Sequence, residues 1–488
     1  MKTILANVVP EETRLAMVND TDGELEMVEF ERASTAHLVG NIYRGQVQNV
    51  LPGMQAAFVD IGGEKNAFLY IGDGLPYGEG EARQLPHQKI HIGQILPVQV
   101  VKDAVGTKGP RATMHISLPG RLLVLMPTAA YIGLSRRITG EEERARLHGI
   151  AERICPEGMG LIIRTVAEGA SEEILKADVE AQLRIWNSIL ARFKLKGQRK
   201  GALLYRDADL LIRCVRDQLT EEVSALVVDD YRSYLRVKEL AEALTPDLAQ
   251  RVQYYDGKKP LFREYQVENE LEKLGDRQVE LKSGGFLVID KTEALTVIDV
   301  NTGSFVGRSR LSDTVFQLNL EAAAEIMKQI RLRDIGGIIV VDFIDMETEE
   351  QKESLLQKLR ELTVKDRTKM TIVDITSLGL VEITRKKSRT NLETLIYTEC
   401  PVCHGRGRVE SPETVSIRIS RDIRRLEKKC HAVDGYDIEV HDSVADELGA
   451  NQLLMDLAAE FAFDLKVIAR PDFHPESYTI VQTDAGKD

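Results

Sequence analysis

The sequence predicts an α+β chain of several subdomains, and three patterns carry that expectation. Short strands with glycine punctuation fill the first 118 residues, helices and strands alternate through the middle, and residues 285–396 read strand, helix, strand, helix, strand. At roughly 150 residues per domain, 488 residues make about three units. An apolar fraction of 43% is ordinary for a chain that buries a core.

The first 34 residues read as three strands, ILANVV, TRLAMV and ELEMVEF, separated by Pro10-Glu11-Glu12 and Asp20-Thr21-Asp22-Gly23. From Val39, GNIYRGQVQNVLPGMQAAFVDIG, NAFLYIGD, GQILPVQVVKD and ATMHISL give five or so closely spaced strands, which suits a small closed barrel of OB type. Tyr43, Phe58 and Phe68 are then candidate platforms for stacking bases, or equally core rings. Gly78 to Gln88 is a polar insertion expected to form a mobile loop. EEERARLHGIAERI and SEEILKADVEAQLRIWNSILARFK are helical in period, with GMGLIIRTVAEGAS as a strand between them and Trp186 on a core-facing stripe. VSALVVDDYRSYLRVKELAEAL also reads as helix. In residues 285–396, the strands FLVID, ALTVIDV, GGIIVVDF and KMTIVDIT enclose helices from about Ser312 to Arg333 and Glu349 to Leu362. That order predicts a parallel sheet with crossover helices.

Composition narrows the function. No run approaches the roughly 20 apolar residues that cross a bilayer. The Met1–Asn7 run meets Pro10, Glu11 and Glu12 too soon for a signal peptide. Five cysteines are no disulfide scaffold in a chain this long, so a cytoplasmic location is expected. A net charge of −13 argues against a broad nucleic-acid-binding surface. Arg192 to Lys200 and Arg385 to Arg389 are nevertheless concentrated basic segments, either solvated helix ends or tracks for RNA along a defined channel.

Asp299 ends one apolar strand and Asp342 another, so both are expected at one rim of the sheet, where ligands of such sheets sit. Carboxylates buried beside apolar strands are costly, and two together repel, unless a cation intervenes. Magnesium, held by one or two carboxylates with waters and phosphate oxygens, fits best. Asn301 could add a carbonyl oxygen or orient a water. The plainer reading has these aspartates capping helices or pairing with Arg308 and Arg331. Asp345 and Asp374 compete for the same role.

Cys400-Pro-Val-Cys403-His-Gly-Arg-Gly has metal-ligand spacing. A structural zinc wants four ligands, and Cys155, Cys214 and Cys430 stand alone while His404 adjoins a ligand too closely. Two thiolates per chain therefore predict one zinc shared by two chains, and so a homodimer. A redox dithiol or a simple turn are the alternatives.

TVIDVNTGSFVG, LRLRDIGGIIVVDFIDM, LGLVEITRKKSR and ECPVCHGRGRV resemble the ribonuclease E/G family, and the likeness extends back through GNIYRGQVQNVLPGMQAAFVDIG to cover about residues 1–410. The resemblance implies an endoribonuclease for single-stranded RNA that leaves 5′-phosphate and 3′-hydroxyl ends, in rRNA and tRNA processing and mRNA decay. It implies magnesium on Asp299 and Asp342 beside Asn301, and an inter-subunit zinc on Cys400 and Cys403. It also implies RNA contacts at Phe58, Phe68 and Lys108, and a 5′-monophosphate sensor of Arg164, Thr165 and the backbone of Val124. The architecture implied is a ribonuclease-H-like subdomain (1–34 and 210–276) holding the OB-type barrel (35–118) and the sensor (119–209). An α/β catalytic subdomain (277–396), a zinc link (397–410) and a small α/β dimerisation domain (411–488) follow. With no long tail after Asp488 the G-type is expected, as a dimer or a tetramer. Outside the family three readings compete: a non-catalytic RNA-binding adaptor, a metal-dependent DNA nuclease, and a redox or zinc-transfer protein built on the CxxC.

Overall fold

Strands Lys2–Val9, Glu12–Asn19 and Leu25–Arg32 form an antiparallel meander, as the three alternating runs predict. In the computed structural model the described residues are 1–33, 38–71, 90–104, 108–195, 199–304, 311–387, 392–428, 435–450, 457–460 and 464–483. The Gly78–Gln88 insertion, Arg308, Cys430 and parts of both basic segments lie outside them. The chain divides into two units, Met1–Leu395 and Ile396–Asp488.

In the first unit, Val223–Val228 adds to Lys2–Val9 in parallel, and Val252–Tyr254 adds beyond it. The expected single helix over VSALVVDDYRSYLRVKELAEAL is therefore a strand followed by a helix, Tyr231–Leu244. The VSALVV run is drawn into the sheet by its parallel partner Lys2–Val9, and Asp230 starts the helix by accepting the Ser233 N–H at 2.8 Å. Both faces of this sheet are buried. Ile4, Leu15 and Leu226 face helices Leu210–Asp217 and Tyr231–Leu244, while Leu5, Ala16 and Val227 face Leu261, Phe262 and Val267.

The barrel is closed. Ile42–Leu51, Ala56–Asp60, Ala67–Tyr70, Arg111–Thr113 and Ile95–Lys102 pair in that order, and the last pairs back to the first. Five strands and no free edge are consistent with the OB type. Val47, Val59, Leu69 and Val98 fill the interior. Tyr43 packs against that core, so it is core rather than an outward platform.

A four-stranded sheet follows, with Leu123–Met126 between Leu118–Pro119 and Gly160–Ile163, and Ile132–Leu134 at the edge. Helices Glu141–Ile154 and Glu172–Lys194 cover it, and Trp186 sits in their core at 6% exposure.

The sheet over residues 278–385 corrects the parallel expectation. Leu295–Asn301 and Gly337–Asp342 are parallel, but Phe286–Lys291 is antiparallel to the former and Leu380–Arg385 to the latter. Met370–Ile375 runs in the direction expected of a crossover strand, yet Leu380–Arg385 is inserted between it and Gly337–Asp342. The turn Thr376–Gly379 folds the chain back into a hairpin, with Gly379 at φ +85°. Helices Leu311–Leu332 and Glu349–Thr363 bury one face of the sheet through Ile298, Val300, Ile339 and Val341.

The second unit places helices Pro412–Glu427 and Asp442–Ala450 against a three-stranded sheet with Gly435–Val440 at its centre. Among the described residues no helix is long and apolar enough to cross a membrane.

Candidate active site

The side chains that alternate with Ile298, Val300 and Val341 emerge on the face that the helices leave open. Asp299 and Asp342 are both there, both exposed, and they are direct register partners on the two parallel strands. Neighbouring strands lie about 4.8 Å apart, so two carboxylates in register are within reach of one cation. Exposure also corrects the expected cause: burial does not strain these groups, and their mutual repulsion is what calls for a cation. Among the described residues neither forms an ion pair. Arg331 lines a cavity together with Asp334 and Asp366 instead.

Asn301 donates its Nδ2 hydrogen to Asp299 Oδ2 at 2.8 Å, which orients the carboxylate and leaves the amide oxygen unengaged among the described residues. The chain turns at once after it. Gly303 has φ +54°, and a Cβ there would lie 2.4 Å from the Gly284 carbonyl, so the Gly284–Gly285 pair seats the end of this strand.

Asp374 is not with the pair. Its strand is the second one over from Gly337–Asp342, and its Oδ1 accepts the Ile375 N–H at 2.9 Å. No group of three or more Asp, Glu, His or Cys able to hold a metal occurs among the described residues, so Asp345 does not complete a three-carboxylate set. The pair with Asn301 is the donor set. It suits an oxygen-seeking ion that keeps most of its water.

Sequence reasoning missed Asn319. It is 0% exposed, donates to the Ile344 carbonyl at 2.8 Å and accepts the Ile344 N–H at 3.2 Å. The segment directly after Asp342 is thus tied to the helix behind the sheet. A signal was present, since Asn319 interrupts the apolar stripe Leu318, Ala322, Ala323, Ile326. Asn319→Ala strands two backbone groups, and at about 1–3 kcal/mol for an unsatisfied group thermal unfolding should show a loss of that order.

On the barrel, Phe58 and Phe68 are register partners whose rings meet edge to face at 5.9 Å. Both are half-exposed, and neighbours such as Val59 and Leu69 point inward, so the pair faces outward. Lys108 is exposed, two residues before Pro110, whose carbonyl accepts the Phe68 N–H at 2.7 Å. Half-exposed rings on a barrel strand are of the kind on which bases can stack.

The Ribonuclease E/G family model matches residues 117–388, more than half of the chain and including both aspartates. The chain belongs to the ribonuclease E/G family. It is similar to ribonuclease G of Salmonella typhimurium, 41% identical over 98% of this chain and 99% of that one. Ribonuclease G of Haemophilus influenzae is 45% identical over 87% of each chain. Ribonuclease E of a Nostoc species is 39% identical over 82% of this chain and 58% of its own.

In this ribonuclease E/G family member, Arg164 and Thr165 line a cavity of about 2680 Å³, apart from the aspartate rim. Arg164 Nη1 donates to Asp217 Oδ1 at 2.6 Å and to the Gly120 carbonyl at 2.7 Å. The Thr165 hydroxyl meets that of Ser135 at 2.8 Å. Burial raises the Asp217 carboxyl, but Arg216 and Arg164 outweigh it and hold the group below its ordinary value. Val124 pairs with Ile162 and Pro119 in the sheet and is not among the cavity's lining residues. Arg121 does line the cavity, and burial lowers its pKa.

In the second unit, Cys400 is exposed and Cys403 half-buried, both as free thiols. The Cys403 N–H, then the Val402 N–H and the Cys403 thiol, turn toward the Cys400 sulfur and lower its pKa. Two sulfurs turned together, with N–H donors on one of them, fit half of a tetrahedral thiolate site. Cys155 and Cys214 stand apart as free thiols, and burial pushes both upward.

Proposed function

We propose that this family member is a magnesium-dependent enzyme that hydrolyses single-stranded RNA at the Asp299–Asp342 rim. Family membership makes it an endoribonuclease. The in-register carboxylate pair, lying inside the family-matched segment, is the observation that carries the metal reading. A divalent ion held by Asp299 and Asp342 would supply Lewis-acid stabilisation of the charge that builds on the phosphodiester and would make a bound water more acidic. The chain's own groups do the rest. Asp299 and Asp342 would hold the ion, and Asn301 keeps Asp299 in place while its amide oxygen holds a water. Phe58 and Phe68 stack bases, and Lys108 meets a phosphate.

The products are 5′-phosphate and 3′-hydroxyl ends. Arg164 and Thr165 favour RNA carrying a 5′-monophosphate, because a guanidinium and a hydroxyl suit a terminal phosphate. Cys400 and Cys403 hold a zinc shared with a second copy, making a homodimer that can pair further to a tetramer. The setting is the cytoplasm, in rRNA and tRNA processing and mRNA decay.

A non-catalytic adaptor would need the barrel face but not two carboxylates side by side with no ion pair among the described residues. The reading is tested with one labelled single strand made as RNA and as matched DNA, each with magnesium and with chelator. Cleavage of the RNA with magnesium alone is expected. Equal cleavage of the DNA would instead make the protein a general nuclease, because the 2′-hydroxyl is what separates the substrates.

A further inference from the structure

The turn that carries Cys400 and Cys403 does not hang free within its unit. The loop between strands Asp464–Ala469 and Tyr478–Thr483 reaches it at two points. His474 Nε2 lies 2.5 Å from the Val402 carbonyl, and its Nδ1 accepts the Glu476 N–H at 3.1 Å. That second bond fixes the tautomer: Nδ1 is the acceptor, so Nε2 carries the hydrogen and donates to Val402. The Glu476 carboxylate takes both bonds of Arg406 Nη2 at 3.0 and 2.9 Å, and also the Glu410 N–H at 2.9 Å. Arg406 in turn donates from Nε to the Cys403 carbonyl at 3.2 Å.

One peptide plane makes this arrangement matter. The Val402 carbonyl and the Cys403 N–H belong to the same peptide unit. His474 pulls on its oxygen, while its N–H points at the Cys400 sulfur. The His474 bond fixes this plane, and with it the direction in which the Cys403 N–H points. A histidine with both ring nitrogens engaged is not free to ligate, although its ring stacks near that of His404 at 6.5 Å.

We propose that His474 is a positioning residue for the zinc half-site, set on the C-terminal loop so that the small domain holds the two sulfurs in ligating order before a metal arrives. The proposal rests on the reading of Cys400 and Cys403 as zinc ligands. Groups that orient metal ligands in this way typically contribute about 10–100-fold in metal affinity.

The test uses the full chain, with zinc affinity read by competition against a chromogenic chelator and oligomeric state read by sedimentation. His474→Ala should weaken zinc binding about 10–100-fold and move the dimer toward protomers at limiting zinc. His474→Gln keeps an N–H donor near the Nε2 position and should recover most of the affinity. Cys400→Ser separates the two claims. If it leaves zinc content and assembly unchanged, the zinc reading itself fails. If it abolishes binding while His474→Ala binds as tightly as the wild type, the ligands stand and the positioning role falls. One zinc per isolated wild-type protomer, lost on His474→Ala, would make His474 a ligand and overturn the proposal. So would wild-type affinity in His474→Ala with no benefit from His474→Gln.

Discussion

Asp299→Asn is expected to slow cleavage of a single-stranded RNA by about a thousandfold or more, because a bound ion's Lewis-acid contribution is several kcal/mol and about 1.4 kcal/mol is tenfold in rate. The substitution keeps the size and shape of the side chain and removes its charge. One carboxylate then remains at the rim, and the Asn301 N–H that now meets Asp299 would face an amide. RNA affinity, measured by fluorescence anisotropy without magnesium, should stay within about threefold, because the base-stacking proposed for Phe58 and Phe68 lies on the barrel. Asp342→Asn should match it. The double variant should be scarcely slower than either single one, since groups that act as one unit do not add. Wild-type cleavage by Asp299→Asn would remove the enzyme from this rim.

Much of this rim was legible in the chain. Apolar runs ending in Asp299 and Asp342 gave their shared edge, while the register that puts both on one face came from the strand pairing. What the residues did not disclose was the exposure of the pair and the strand between Gly337–Asp342 and Met370–Ile375. Pairing order between strands is a long-range choice, and LVEITR carries no local mark of which neighbour it takes. The VSALVV segment shows the same limit at short range. Its apolar run fits a helix stripe or a buried strand equally well, and only the parallel partner Lys2–Val9 decides. His474 was illegible for another reason. It acts through a backbone group distant in sequence, Val402, and a lone His gives no sign of that. Asn319 left only its break in the apolar stripe, which does not name its partner Ile344.

Arg164→Ala is expected to remove most of the preference for 5′-monophosphorylated RNA while leaving cleavage of a 5′-hydroxyl RNA within about twofold. Both of the bonds that hold Arg164 leave from Nη1, to Asp217 and to the Gly120 carbonyl. Nη2 and Nε therefore keep N–H donors without a partner among the described residues, on a side chain that is 27% exposed and lines the cavity. The guanidinium is held from one side and offers its fork on the other. Hydrogen bonds to charged groups contribute about 1.5–3 kcal/mol, so the ratio of 5′-phosphate to 5′-hydroxyl rates should fall by roughly 10–100-fold where the wild type has that much to lose. Asp217 would keep its bonds to Arg216 after the change, so the fold should survive. Because the Asp217 carboxyl sits below its ordinary value, the clamp on Arg164 is intact at neutral pH and is lost only as the pH falls through that lowered value. Arg164→Lys keeps the charge without the planar fork and should recover only part of the ratio. Paired rate measurements on one RNA with the two 5′ ends decide it, and an unchanged ratio in Arg164→Ala would leave the cavity without a role in reading the 5′ end.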